Sequence, residues 1–280
     1  MRQVTVFEPP SFATLRPVTA VRRLRQFSHL IAALTAHRLK VRYVRTHLGW
    51  AWAVLQPVSF MVVFTLMFTL LGRSPSGEVP YPLFAYAALV PWTAFSAGVA
   101  NAATSLTSHS SLLTKVAFPR EILPATYVVV ALVDVAVASV LLLGLCGWYG
   151  VSAGVNILWV IPALLLMTLF LAGVSLLLAA AQVRYRDVGV AIPILLQVWM
   201  FATPIIYPLE AAKGALSAQA FALYTLNPLV AVVDTFRRAT ILNAPPDWTA
   251  WGSALLVTFI LLPAAYVYFK HSEKTMADVV

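Results

Sequence analysis

Long apolar runs alternate with short basic or polar breaks along this chain, and six of the runs are long enough to cross a bilayer. They are Trp52–Leu71, Tyr81–Ala103, Leu123–Trp148, Asn156–Ala181, Val188–Tyr207 and Trp251–Phe269. A helix rises ~1.5 Å per residue, so about 20 residues cross the ~30 Å hydrocarbon core. The runs are apolar on every side and do not alternate with period two over about ten residues. That predicts helices and not barrel strands. The pattern divides the chain into three parts: a cytoplasmic region, 1–51; a six-span transmembrane domain, 52–269; and a short tail, 270–280.

The breaks carry patterns of their own. Val21, Leu24, Phe27, Ile31 and Leu34 recur at spacings of three and four, with Arg22, Arg23, Arg25 and His29 opposite. This predicts a basic amphipathic helix over 20–40, lying in the membrane interface or docked on a partner protein. Ser and Thr between spans two and three disfavour helix interior. There Ser111–Phe118 is expected to form a short helix that Pro119 ends. Residues 208–250 are too long for a structureless loop and each half is too short to span. Two short helices that dip into the outer leaflet and return satisfy the pattern, provided their backbone is buried in protein. A plain surface loop is the other reading. Pro193 and Pro204 predict a kink in span five.

Charge orients the spans. Fifteen of the 19 Lys and Arg residues lie before span one, between spans two and three, between four and five, or after six. The positive-inside rule then places both termini in the cytoplasm. The net charge of +9 faces anionic lipid. A nucleic-acid partner is not expected, because no basic surface exists apart from the membrane flanks. Charged residues are 10% of the chain, against ~25% in soluble domains. The single cysteine, Cys146, allows no disulfide or thiolate metal site within one chain. No apolar leader segment precedes residue 48, so no cleavable signal peptide is expected.

Enzymatic signatures are missing from the text. There is no P-loop, Gly-rich dinucleotide loop, His-Glu-x-x-His or Gly-x-Ser-x-Gly. His29, His37, His47, His109 and His271 lack ligand spacing. Asp134 is the one ionisable group well inside a span, where a charge costs roughly 2.5–3.5 kcal/mol on insertion scales. It reads as a polar packing contact or neutral carboxyl, or else as a proton or cation site. Energy, where transport needs it, is expected from a separate subunit.

Four stretches carry a resemblance: LKVRYVRTHLGWAWAVLQP (Leu39–Pro57), LLTKVAFPREILP (Leu112–Pro124), RYRDVGVAIPILLQVWMFATPIIYP (Arg184–Pro208) and LNPLVAVVDTFR (Leu226–Arg237). Together, in order and across nearly the whole chain, they resemble the permeases of polysaccharide ABC exporters. This is the Wzm-type group, serving O-antigen, capsule and teichoic acid, within the type-2 ABC permeases. The resemblance implies a homodimer, two copies of a cytoplasmic ATPase that binds ATP and Mg, and a polymer on a polyprenyl or other lipid anchor. No cofactor is expected in this chain itself. The implied location is a bacterial inner or plasma membrane.

The resemblance also implies roles for residues. Leu112, Lys115, Phe118, Pro119, Arg120 and Glu121 look like the coupling helix in the ATPase groove. Arg184, Tyr185, Arg186 and Asp187 look like a second, shorter contact. Arg42, Tyr43, Arg45, Gly49, Trp50 and Trp52 look like the segment gating lipid-pyrophosphate headgroups at the cytoplasmic mouth. Arg suits phosphate through its fork of donors, although Trp and Tyr flanked by Arg also mark any interfacial anchor. A sugar pore favours aromatic platforms and few strong charges. Gln56, Ser59, Phe60, Trp92, Asn101, Gln197, Trp199, Phe201 and Tyr207 are candidates to line it. Asn227, Pro228, Asp234 and Arg237 fall in the stretch resembling an outer gate.

Two rivals share some of these features. A type-2 permease for a drug or lipid has the same topology. A membrane glycosyltransferase needs a carboxylate-rich loop, whereas Glu78, Glu210, Asp234 and Asp247 are scattered. Richness in Ala and Val, with Arg over Lys, suggests a high-G+C source. The chain is most similar to actinobacterial members of the group, which implies a polyprenyl-linked cell-wall galactan as cargo.

Overall fold

The computed structural model describes residues 25–72, 75–109, 118–152 and 154–279, with side chains through Glu273. Among them are ten α-helices and no strand. In chain order they are α1 (Ser28–Leu39), α2 (Ala51–Leu70), α3 (Tyr81–Ala103), α4 (Ile122–Trp148), α5 (Val160–Arg184), α6 (Asp187–Phe201), α7 (Leu209–Ala215), α8 (Ala218–Thr225), α9 (Pro228–Arg237) and α10 (Trp248–Val279). Wider π turns follow α1 at Lys40–Val44 and α9 at Arg238–Leu242. Five helices are long and apolar enough to cross a membrane: α2, α3, α4, α5 with its leading 3₁₀ turn, and the Trp248–Glu273 part of α10.

α3 is the hub. In its most apolar stretch 83% of residues are buried inside the protein, against 17% for α2. It packs on α4, α5, α2, α9 and α6, while α10 lies along α5. Tyr86 of α3 donates its hydroxyl to the Ala138 carbonyl of α4 at 3.0 Å. Thr93 and Ser96 bond back to carbonyls three or four residues earlier. Each buried hydroxyl on this helix thereby avoids the cost of an unmet donor.

The structure departs from the sequence expectation at span five. Helix α6 has 15 residues and stops at Phe201, about 22 Å long at ~1.5 Å per residue. Pro193 sits inside it, and Pro204 lies beyond its end. A residue before proline is pushed out of the helical region, so Pro204 ends the helix two residues early. The stranded groups find partners on the facing segment. Asn227 donates to the Ala202 carbonyl and to Thr203 Oγ1, and Arg237 donates to the Pro204 carbonyl at 2.9 Å.

Residues 208–250 form three short helices and a π turn where two helices were expected. Every residue of α9 is buried, packed against α5, α10 and α3. Asn227 caps α9 by accepting from the Leu229 amide, and Pro228 takes the first helical position. The π turn ends at Asn243, in left-handed backbone with φ 45°. Asn156 donates to both the Asn243 carbonyl and its side chain. A Cβ on Gly154 would stand 2.1 Å from the Asn243 side chain, so a larger residue here forces Asn243 to move.

Of the helix expected over 20–40, the described part is α1, Ser28–Leu39; Phe27, just before it, and Leu30, Ile31 and Leu34 are partly buried against an apolar cluster, and Thr35 and Arg38 of α1 are buried. Val21, Arg22, Arg23 and Leu24 lie outside the described residues. The expected tail is not separate: α10 continues unbroken through residue 270 to Val279.

Candidate functional site

Among the described residues, three polar clusters sit in the apolar body, one at each end and one between. The basic end gathers the start of α4, the end of α10 and α1. Lys270 Nζ lies 2.7 Å from Glu121 Oε2 and 2.8 Å from Glu273 Oε2, and the Lys270 and Glu121 side chains are 3% and 5% exposed. Arg120 donates to the Glu273 carbonyl at 2.9 Å. An apolar cluster of Leu106, Phe118, Ile122, Leu123, Ala179, Ala180, Val183 and Phe269 surrounds them. Phe118, Pro119 and Glu121 are therefore buried in this chain, and only Arg120 of the four keeps a partly open side. Glu121 faces Lys270 and not the surface expected for an ATPase groove. Leu112 and Lys115, with the rest of 110–117, lie outside the described residues. Arg184, Tyr185, Arg186 and Asp187 form an exposed corner between α5 and α6, with Arg184 5.5 Å over the Tyr185 ring.

The middle cluster joins two features that looked separate in the sequence. Asp134, on α4, accepts from Tyr43 Oη at 2.5 Å and from Arg42 Nη1 at 2.8 Å. Both donors come from the π turn after α1. Burial, and then the bond to Asp134, push the Tyr43 phenol above its ordinary value, which keeps it a donor. The Tyr43 ring stacks on Trp50 at 4.5 Å. Gly49, at φ 54°, makes the left-handed turn that returns the chain for this contact. Gln56, Ala53, Thr93 and Ala94 line a small hollow with Arg42 and Asp134. Arg45 and Trp52 are exposed.

The opposite end holds Asp234, Arg237, Arg238 and Glu210. Arg237 is 1% exposed. It pairs with Asp234 at 3.2 Å, lies 4.0 Å over the Phe84 ring and donates to the Pro204 and Tyr207 carbonyls. Arg238 bridges Asp234 at 2.9 Å to Glu210. One buried cation thus ties α9 to the irregular stretch after α6, and Tyr207 adds a contact to Tyr224.

The candidate pore residues divide. Gln56, Ser59, Asn101, Gln197 and Phe201 are exposed, as is Trp52 of the mouth segment. Trp52, Gln56 and Ser59 fall at helical spacings of four and three, one stripe on α2. Phe60 is half-buried against Phe64. Trp92 is 2% exposed and packs beside Phe95. Trp199 is half-buried in an aromatic knot with Phe95 and Phe170, and its Nε1 donates to Asn227 at 3.0 Å. Trp199 thus joins α6 to α3 and α5, while Trp92 is buried in the apolar core. The Lys270–Glu121 pair escaped the sequence reading because Lys270 looks like an ordinary positive flank. The one signal was an acid, Glu121, at the basic end.

Residues 29–241 match the family model described as ABC-2 type transporter. Over 262 residues the chain is 31% identical to the O-antigen export system permease protein RfbA of Myxococcus xanthus, covering 93% of this chain and 99% of that protein. It is 23% identical to the O-antigen export permease RfbA of Klebsiella pneumoniae, with 89% and 94% covered. Against the polysialic acid transport protein KpsM of Escherichia coli it is 21% identical, with 88% and 94% covered. The family match runs from α1 through the π turn after α9, so it takes in the middle and opposite-end clusters entire. The chain belongs to the ABC-2 type transporter family, among the permeases of polysaccharide ABC exporters.

Proposed function

We propose that this chain is the channel-forming subunit of an ATP-driven exporter that moves a lipid-linked polysaccharide out of the cytoplasm. The observation that carries the reading is the end-to-end similarity to an O-antigen export permease, 93% of one chain on 99% of the other. A partner ATPase supplies ATP and Mg binding, since no P-loop occurs in this sequence. Its docking surface is the basic end, with the segment 110–117, Arg120 and the exposed corner Arg184–Asp187 as contacts. Both termini lie in the cytoplasm, in keeping with the distribution of Lys and Arg.

The sixth crossing is made by α6 together with the irregular stretch 202–208. Non-helical backbone is tolerated at membrane depth only where protein satisfies it, and Asn227 and Arg237 do so here. α7, α8 and α9 then enter from the outer side and return, forming an outer gate. Two copies pair and enclose the pore. The Trp52, Gln56 and Ser59 stripe and the exposed Gln197 and Phe201 of α6 offer the aromatic and amide surface on which a sugar chain binds and slides. The cargo is a polyprenyl-linked cell-wall galactan, a reading that rests on the sequence resemblance.

Depletion of the protein in its host, followed by analysis of lipid-linked glycans, tests this. Accumulation of one polyprenyl-linked galactan inside the cell is expected. Accumulation of another polymer overturns the cargo alone. Unchanged glycan pools in impaired cells overturn the exporter reading and favour a drug or lipid permease.

A further inference from the structure

Asp134 stands about 18 Å into α4 at ~1.5 Å per residue, where a lone carboxylate is costly. Its two oxygens are each taken by a donor from a segment some 90 residues earlier in the chain. Any buried carboxylate needs partners for its lone pairs, and what sets this one apart is where they come from. Here two successive residues, Arg42 and Tyr43, converge on one carboxylate, and the wide turn at Lys40–Val44 presents them together. Such turns are frequent at functional positions. Tyr43 then carries Trp50 on its ring face. Gln56, on the exposed stripe of α2, lines the same hollow as Arg42 and Asp134.

The same helix is gripped lower down. Arg38 of α1 donates to the Leu123 carbonyl and lies 3.6 Å over the Tyr127 ring. So α1 and its π turn are strapped to α4 at two levels, Leu123–Tyr127 and Asp134. α4 begins at Ile122, directly after Phe118–Glu121. A push on that end of α4 reaches Arg42, Tyr43 and Trp50 through Asp134, with no loop intervening.

We infer that Asp134 is a positioning residue for export: it locks the mouth segment Arg42–Trp50 to α4, so that movement of α4 by the ATPase resets the mouth. This rests on the exporter reading above. Without the lock, ATP is still hydrolysed but the mouth no longer follows, so polymer exported per ATP falls. A strut that only holds the fold together would lower both in proportion to the amount of assembled complex.

The test uses the full permease–ATPase complex in its host, with the chromosomal copy depleted. Exported polymer is measured in cells, and ATP hydrolysis and assembly are measured on the purified complex. Asp134→Asn is expected to cut export per ATP at least tenfold, with Asp134→Glu falling less. Export per ATP within twofold of wild type for Asp134→Asn, or export and hydrolysis falling together, overturns the inference. Where Asp134→Asn does not assemble, Tyr43→Phe decides: it leaves the ion pair and removes one donated bond. A fall of threefold or more in export per ATP supports the lock, and a smaller change overturns it. Wild-type protein that restores no polymer refutes the exporter reading instead, which separates the two failures.

Discussion

Replacing Lys270 with Met removes the cation that closes the basic end. Its ammonium sits 2.7 Å from Glu121 and 2.8 Å from Glu273, with the Lys270 and Glu121 side chains 3% and 5% exposed. Glu273 is 18% exposed and keeps some solvent, so losing its partner costs little, about 0.5 kcal/mol. Glu121 has no such escape, because its other oxygen already lacks a partner. Breaking a buried pair on one side costs about 3–5 kcal/mol, whereas replacing both members by apolar groups is close to neutral. At roughly 2–4 °C per kcal/mol for a chain of this size, Lys270→Met lowers the thermal midpoint by about 6–20 °C. Glu121→Leu combined with Lys270→Met recovers most of that loss. The assay is size-exclusion chromatography after heating the purified protein in detergent, at one fixed heating schedule because unfolding of such proteins is irreversible. A Lys270→Met midpoint within 2 °C of wild type refutes the reasoning. So does a double variant as unstable as the two single losses added.

Three other outcomes follow from the same physics. Arg237→Met strands the Pro204 and Tyr207 carbonyls and leaves Asp234 only its pair with Arg238. Each unmet buried acceptor costs about 1–3 kcal/mol, and limited proteolysis after Tyr207 should become fast while the remaining helices stay protected. Asn227→Ala removes the cap of α9, the partner of Trp199 and the donors to Ala202 and Thr203. A cap of this kind contributes about 1 kcal/mol, so amide exchange at residues 202–208, read by mass spectrometry, should speed up about fivefold, at tenfold per ~1.4 kcal/mol. Gly154→Ala drives a Cβ into Asn243 and should lower the thermal midpoint as an overpacked contact costing about 1–3 kcal/mol does. Adding Asn243→Ala should restore part of the loss, and a second change that makes matters worse counts against the contact.

Hydropathy reads what a residue must avoid, and that is why it finds the long helices and misses their fastenings. Ala51–Leu70, Tyr81–Ala103 and Ile122–Trp148 stand within a residue of the predicted runs because water exclusion acts on each residue independently of its neighbours. The fastenings depend on partners far apart in the chain. Asp134 announced itself as an expensive acid, but nothing in its local sequence points to Arg42 and Tyr43, which looked like headgroup ligands. Trp92 and Trp199 looked like sugar platforms for the same reason: an aromatic in a span has the same composition signal whether it faces a pore or a neighbouring helix. Span five was overrun because its apolar text continues past Phe201 while Pro204 ends the helix, a conflict resolved only by donors on α9. The residues that sequence alone places least well are thus the ones that couple elements. Asp134, Lys270 and Arg237 each join segments from different parts of the chain, at the middle, the basic end and the opposite end. A transporter that must move as connected bodies needs its polar side chains at those joints, and a bilayer makes each of them costly to leave unpaired.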